Sequence, residues 1–107
     1  MENYTIYKIV CKDKTVKDCY VGYTKSFHLI QTHHNTCCNN KNNKSYNRLL
    51  YNVIRDNGGW NNWFAYEIDS IECYYDYEAR ERERYWIDKI NPTLNQIKPK
   101  VIAKKLP

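Results

Sequence analysis

The last third of the sequence places one carboxylate where a surface helix needs an apolar residue. At about 100° per residue, the apolar residues of this segment share one face, and they are Ala79, Trp86, Ile87 and Ile90. Glu83 lies near the middle of that face. A carboxylate there is either paired with a Lys or Arg, or points into a site where it binds a metal or acts as an acid or base. Spacing alone does not separate these two interpretations.

Two tyrosines, Tyr7 and Tyr20, lie in neighbouring segments with the composition of β-strands. If both face the same side of one hairpin, their hydroxyl groups can approach a single phosphate. The other interpretation is that both rings pack on the sheet, which is the ordinary use of Tyr in strands. Gly22, in the second segment, indicates a close backbone approach, a bulge or the end of the strand.

A third cluster combines histidines and cysteines, namely His33, His34, Cys37 and Cys38. Zinc takes such ligands, so a zinc-stabilised interaction domain is one hypothesis. Two adjacent pairs suit tetrahedral coordination less well than ligands spaced two or three residues apart. The cluster therefore does not establish a metal site by itself.

These side chains depend on a few predicted elements. Alternating β-branched and aromatic residues predict strands over 5–11, 19–24 and 63–71. Helices are predicted from about 27 to 34 with Ser26 as N-cap, over 45–56, and over 77–90 with Asp76 as cap. Residues 35–44 are predicted to form a loop, and Trp60 and Trp63 are predicted to fill the core. The order β-β-α-α-β-α predicts an α+β domain with a three-stranded antiparallel sheet flanked by helices.

Length and composition limit the class of protein. The 107 residues fit one domain, with a core over about 4–96 and a basic, irregular tail over 97–107. No apolar run approaches the ~20 residues that span a bilayer, so no membrane partner is expected. Five cysteines without framework spacing, and an N-terminus without a signal-peptide pattern, predict reduced thiols in an intracellular protein of the cytoplasm or nucleus. The net charge of +5 alone says little about partners.

Together these features resemble the GIY-YIG endonuclease family. Its two motifs are similar to Thr5-Ile6-Tyr7 and Tyr20-Val21-Gly22, which have 12 residues between them. His34 lies fourteen residues after Tyr20, where the family has a histidine, and residues 83–95 resemble the family's metal-binding Glu and following Asn. Residues 46–63 resemble a variant common in large DNA viruses and mobile elements. The resemblance covers about residues 4–96.

The resemblance implies hydrolysis of a DNA phosphodiester with one bound Mg²⁺ or Mn²⁺. Glu83 would hold the cation against a phosphate oxygen, and Tyr7 would deprotonate or orient the attacking water. Tyr20 and His34 would hydrogen-bond the phosphate or relay the proton. Asn95 would position the site.

One motif position departs from the family. The family has an arginine ten residues after the tyrosine of the second motif, and this chain has Ile30 there. Arginine offers phosphate a planar, charged fork, whereas isoleucine offers neither charge nor donor. The resemblance therefore predicts an endonuclease whose cleavage is impaired or abolished, with a non-catalytic DNA-binding module on the same fold as the alternative. A further alternative is an active enzyme in which His28, His33 or Lys25 supplies the charge.

Double-stranded or branched DNA is the partner that the resemblance implies. The lysines expected to neutralise phosphates are Lys25, Lys41 and Lys44, with Lys98, Lys100, Lys104 and Lys105 in the tail. Such contacts give salt-dependent affinity with little sequence preference. The chain is expected to act as a monomer or a homodimer, because cutting both strands with one metal requires two copies or two successive nicks.

Overall fold

The computed structural model describes residues 1–96, and its elements follow the predicted order. One antiparallel sheet in the order β2-β1-β3 contains β1 (Glu2–Cys11), β2 (Cys19–Thr24) and β3 (Trp63–Cys73). The helices are α1 (Ile30–Asn39), α2 (Leu49–Asp56) and α3 (Asp76–Ile90), and 3-10 turns at Phe27–Leu29 and Trp60–Asn62 precede α1 and β3. In this part of the chain no helix is long and apolar enough to cross a membrane. The α+β prediction is confirmed, and the predicted tail over 97–107 lies outside the described residues.

The sheet buries two separate hydrophobic clusters. Tyr7, Ile9 and Cys11 alternate along β1 and belong to the larger cluster. Its other members come mainly from the helices and the start of β3, and they are Ile30, Cys37, Cys38, Leu50, Tyr51, Ile54, Trp60, Trp63, Ala65 and Leu94. The smaller cluster joins Tyr4 and Cys73 of the sheet to Ala79 of α3. Helices therefore flank the sheet, and both predicted core tryptophans are buried.

Helix α1 continues to Asn39, so the loop predicted over 35–44 is wrong in its first half. The buried residues of α1 are Ile30, His34, Cys37 and Cys38. Both cysteines lie about one turn after His34, and His34 lies one turn after Ile30, so the four share one helical face. Free thiols pack as small apolar side chains. The two cysteines thus extend the buried face beyond the predicted end at His34.

Helix α2 begins at Leu49 rather than at residue 45. Residues 40–48 form a series of turns instead. Arg55 of α2 holds these turns, because its guanidinium donates hydrogen bonds to the carbonyl oxygens of Cys38 and Tyr46, each at 2.8 Å. Arg48, directly before the helix, has an extended backbone with ψ 150°. Arg48 is therefore the last residue of these turns and lies directly before α2 in a non-helical conformation.

Neither predicted N-cap residue caps its helix. The Ser26 side chain makes no capping hydrogen bond, and its backbone N–H donates to Thr24 Oγ1 at 3.0 Å. Asp76 is the first residue of α3 and forms a salt bridge with Arg80 at 3.4 Å. The predicted end of α3 is correct, because Asn91 takes up the left-handed conformation with φ 53°.

Candidate active site

A cleft of about 610 Å³ lies beside the edge strand β2, between the start of α2 and helix α3. Six of its lining residues bear on chemistry or shape, and they are Tyr20, Arg48, Glu83, Ile87, Asn95 and Gln96. Three of the site residues predicted from sequence, Tyr20, Glu83 and Asn95, are therefore brought together here. Tyr7 and His34 are adjacent to Tyr20 but buried in the core.

Asn95 reaches the cleft because residues 93–95 run along the free edge of β2. The backbone N–H of Leu94 donates to the carbonyl oxygen of Cys19 at 3.0 Å. Asn95 binds both backbone groups of Val21, accepting from its N–H at 2.9 Å and donating to its carbonyl at 2.8 Å. An edge strand left open presents unpaired backbone groups, which this segment satisfies. Both the oxygen and the nitrogen of the Asn95 amide thus help to attach this segment to β2.

Glu83 of α3 is partly buried, lines the cleft and has no salt-bridge partner among residues 1–96. Within residues 1–96 it forms no salt bridge, so the interpretation of a paired carboxylate does not hold in that range. Burial raises the pKa of Glu83 to about 7, and the charge of Arg84 only partly opposes this. A carboxylate held in a cleft with free oxygens is suited to binding a cation or a proton.

The direction of Glu83 is fixed by the attachment of α3 to β3. One carboxylate oxygen of Asp69 accepts hydrogen bonds from Arg82 Nη1 at 2.7 Å and from Trp86 Nε1 at 2.8 Å. Burial raises the pKa of Asp69, but the hydrogen bonds from Trp86 and Arg82 hold it below its usual value. Because Arg82 and Trp86 lie on either side of Glu83 in the sequence, these bonds fix the rotation of the helix that carries it.

Tyr7, His34 and Tyr51 form a buried chain of hydrogen bonds. The Tyr7 hydroxyl lies 3.0 Å from His34 Nε2, and His34 Nδ1 lies 2.7 Å from the Tyr51 hydroxyl. Burial, with smaller effects of the His33 and Arg48 charges, lowers the pKa of His34 to about 3, so the ring is neutral near pH 7. A neutral imidazole has one donor and one acceptor nitrogen. One tyrosine therefore donates to His34 and the other accepts from it.

Tyr7 does not line the cleft. Its side chain is 4% exposed, and burial raises the pKa of its phenol well above the ordinary value. The burial of Tyr7 disfavours ionisation of its hydroxyl to a phenolate, because a buried anion is poorly solvated. The implied function of Tyr7 as a base stays a prediction. Tyr20 is the motif tyrosine on the cleft wall, with its ring centroid 6.4 Å from that of Tyr7.

Arg48 is the cleft residue that the motif comparison missed. Its guanidinium lies 5.8 Å from the ring centroid of Tyr20 and 5.8 Å from that of Tyr51. Both distances are within the range of cation–π contacts. One signal in the sequence was available: Arg48 is the first arginine of the chain and directly precedes the periodic apolar residues of α2.

Ile30, the position of the family's arginine, does not line this cleft. Its side chain is 6% exposed and belongs to the larger core cluster. It borders a second, smaller cavity of about 380 Å³ together with Tyr7 and His33. The side chain at position 30 is therefore an apolar core residue.

The remaining predicted ligands divide into two groups. Lys25, Lys41 and Lys44 are exposed and lie outside the cleft lining, so their contact with DNA stays a prediction. In the histidine–cysteine cluster, both ring nitrogens of His34 already bind tyrosines. Over residues 1–96 no three His, Cys, Asp or Glu side chains lie close enough to share a metal ion. The zinc hypothesis gains no support there, and all five cysteines are free.

Comparisons of the chain with protein-family models, curated proteins and solved structures found no match.

Proposed function

We propose that the protein is a metal-dependent DNA endonuclease of the GIY-YIG type, with the cleft beside β2 as its active site. The observation that carries this proposal is the carboxylate of Glu83, which is partly buried, unpaired within residues 1–96, and in one cleft with Tyr20 and Asn95. Its substrate is double-stranded or branched DNA inside the cell.

The side chains of the cleft fit one divalent cation. Glu83 offers carboxylate oxygens, and Mg²⁺ or Mn²⁺ takes oxygen ligands while keeping several waters. The amide of Asn95 is occupied by Val21 and serves to position the site. When bound, the cation stabilises the negative charge that develops on the phosphate.

Tyr20 is the phenol that orients the attacking water in this proposal. The water oxygen attacks phosphorus and gives up a proton to solvent, the bond from phosphorus to one sugar oxygen breaks, and the leaving oxygen takes up a proton from solvent. Tyr7 and His34 hold the Tyr20 ring, with centroid distances of 6.4 and 6.2 Å. One cleft cuts one strand, so a monomer produces nicks, and a homodimer or two successive events cut both strands.

The test is the conversion of supercoiled plasmid to nicked circles in Mg²⁺ or Mn²⁺. Glu83→Gln keeps the shape of the side chain but removes its charge, and we expect it to reduce nicking by at least about 10³-fold. Glu81→Gln is the matched control, because Glu81 lines the same cleft from the same helix but is exposed. It should nick at close to the wild-type rate.

Two results would contradict the proposal. The first is metal-dependent nicking that persists in Glu83→Gln. The second is a wild-type protein that binds duplex DNA in a salt-sensitive manner without nicking it in either metal, which supports the non-catalytic DNA-binding module instead.

A further inference from the structure

Arg48 carries a positive charge that no acidic side chain neutralises in the described part of the chain. Three salt bridges occur within residues 1–96, and they involve Arg80, Arg82 and Arg84. Arg55, the remaining arginine, donates hydrogen bonds to two backbone carbonyls and to Asn52. A guanidinium presents five N–H donors in a planar fork that matches the oxygens of a carboxylate or phosphate. Arg48 is therefore positioned for a negative group that comes from outside these residues.

The surroundings of Arg48 fix its guanidinium at the cleft. It lies 5.8 Å from the ring centroids of Tyr20 and Tyr51, and it lines the same cleft as Tyr20 and Glu83. Tyr51 is fully buried and bonded to His34, so this support is rigid. Although Arg48 and Glu83 line the same cleft, they form no salt bridge with each other. A phosphodiester with a divalent metal ion suits both groups, because its oxygens accept from the guanidinium and the metal ion binds the carboxylate.

We propose that Arg48 is the phosphate-binding residue of the cleft and supplies the positive charge that Ile30 cannot. This inference rests on the proposed function for its catalytic consequence, but the binding of a phosphate group by Arg48 does not require cleavage. The planar guanidinium donates two parallel hydrogen bonds to the non-bridging oxygens of one phosphate. The phosphate-binding charge thus comes from the turn before α2 rather than from α1, and the chain is competent to cleave DNA.

The first test measures binding without metal, so that cleavage has no influence. A short fluorescent DNA duplex is titrated with protein in EDTA at several salt concentrations between about 50 and 200 mM. Arg48→Gln should weaken binding about tenfold and reduce the slope of log affinity against log salt by about 1. Arg48→Lys should keep the slope because it keeps the charge. Arg80→Ala is the matched control, because Arg80 lines the same cleft but is paired with Asp76. Its slope should stay close to that of the wild type.

The second test measures plasmid nicking by the same variants. Losing a preorganised cationic donor typically reduces the rate by about 10²–10³-fold, which we expect for Arg48→Gln. Arg48→Lys should recover only part of the rate, because an ammonium group lacks the planar fork. Thermal melting verifies that each variant is folded, and Arg48→Lys keeps the comparison informative if Arg48→Gln melts early.

The outcomes separate the two proposals. Wild-type slope and rate in both Arg48 variants, with Glu83→Gln inactive, would overturn the assignment of Arg48 and leave the endonuclease standing. A reduced slope in Arg48→Gln, with no nicking by the wild type, would support the phosphate site and refute the endonuclease. Equal losses of slope in Arg48→Gln and Arg80→Ala would also overturn the assignment, because they indicate general attraction to basic side chains.

Discussion

The phenol ring of Tyr7 lies against the backbone of Gly22, its partner across the β1–β2 ladder. A Cβ atom at position 22 would lie 2.6 Å from Cζ and 2.6 Å from the hydroxyl oxygen of Tyr7. The sequence predicted a close approach as one of three explanations for this glycine, and the group that approaches is a residue of the first motif. Gly22 thereby allows the Tyr7 hydroxyl to reach His34.

Gly22→Ala should destabilise the fold by about 1–3 kcal/mol, because the added methyl group forces the Tyr7 ring or the strand to move. Urea unfolding measures this change. The cost should be smaller in a Tyr7→Leu background, where the two nearest atoms are missing and Tyr20 Cε2, at 3.0 Å, is the close atom that stays. A double-mutant cycle with no coupling between the two sites would contradict the explanation.

Tyr7 and Tyr20 should respond differently to the removal of one hydroxyl. Tyr20→Phe should reduce nicking by about 10²-fold or more with little change in melting temperature, because its hydroxyl acts on water in the cleft. Tyr7→Phe should destabilise the fold by about 1–3 kcal/mol, because it leaves a buried nitrogen of His34 without a partner. Activity assays at a temperature where both variants are folded separate the two effects. Abolished nicking in folded Tyr7→Phe, with active Tyr20→Phe, would restore Tyr7 as the base that the resemblance implies.

Asn95 should act through position rather than through chemistry. Asn95→Ala removes both hydrogen bonds to Val21, and we expect a loss of about 1–3 kcal/mol in stability together with weaker nicking. Asn95→Asp is the informative companion, because it keeps an acceptor for the Val21 N–H but loses the donor to the Val21 carbonyl. Amide exchange at Val21 reports on the contact directly. Unchanged exchange in Asn95→Ala would show that the contact does not hold the edge of β2.

Regular periodicity in the sequence accounts for most of the fold and for the position of Glu83. Alternation along β1 and the apolar stripe of α3 were sufficient, because both follow from local geometry. The end of α1 was wrong because Cys37 and Cys38 were considered as metal ligands rather than as apolar residues. The roles of Ser26 and Asp76 as caps were also predicted wrongly. The backbone N–H of Ser26 binds Thr24, and Asp76 lies inside α3 and pairs with Arg80.

The site was less predictable than the fold, because it depends on residues far apart in sequence. Glu83 and Asn95 line one cleft, and the roles that the resemblance implies for them stay predictions. Arg48 lies in a turn without periodicity, and its contact with Tyr20 depends on tertiary packing, including that of α2 against α1. The burial of Tyr7 likewise depends on Tyr51 and His34, which local pattern cannot bring together.

Glu83 should make stability fall as pH rises. Its pKa is raised in the folded protein from 4.5 to about 7, so between these values the folded state holds a proton that the unfolded state has lost. The stabilisation from this proton is therefore fully present when the pH is below the unfolded pKa of 4.5, and it is lost as the pH rises through the folded pKa of about 7. Glu83→Gln should melt at a higher temperature than the wild type near about pH 8 and at a similar temperature near about pH 4. Glu81→Gln should show no such divergence.

Metal-dependent nicking should rise as the pH rises through the folded pKa of Glu83, about 7, because only the carboxylate form of Glu83 binds the cation.

His34 should produce the opposite dependence on pH. Its pKa is lowered in the folded protein from 6.5 to about 3, so the unfolded state takes up a proton in this range while the folded state does not. The stability that comes from keeping the ring neutral is therefore fully present when the pH is above the unfolded pKa of 6.5, and it decreases as the pH falls toward the folded pKa of about 3. His34→Gln should be less stable than the wild type near about pH 7, because the buried tyrosines lose their partner, and this difference should shrink steadily toward about pH 4. His28→Gln, at an exposed histidine, is the control and should follow the wild type throughout. Melting curves of the three proteins test this, and a difference between His34→Gln and the wild type that stays constant with pH would show that the buried ring is not neutral.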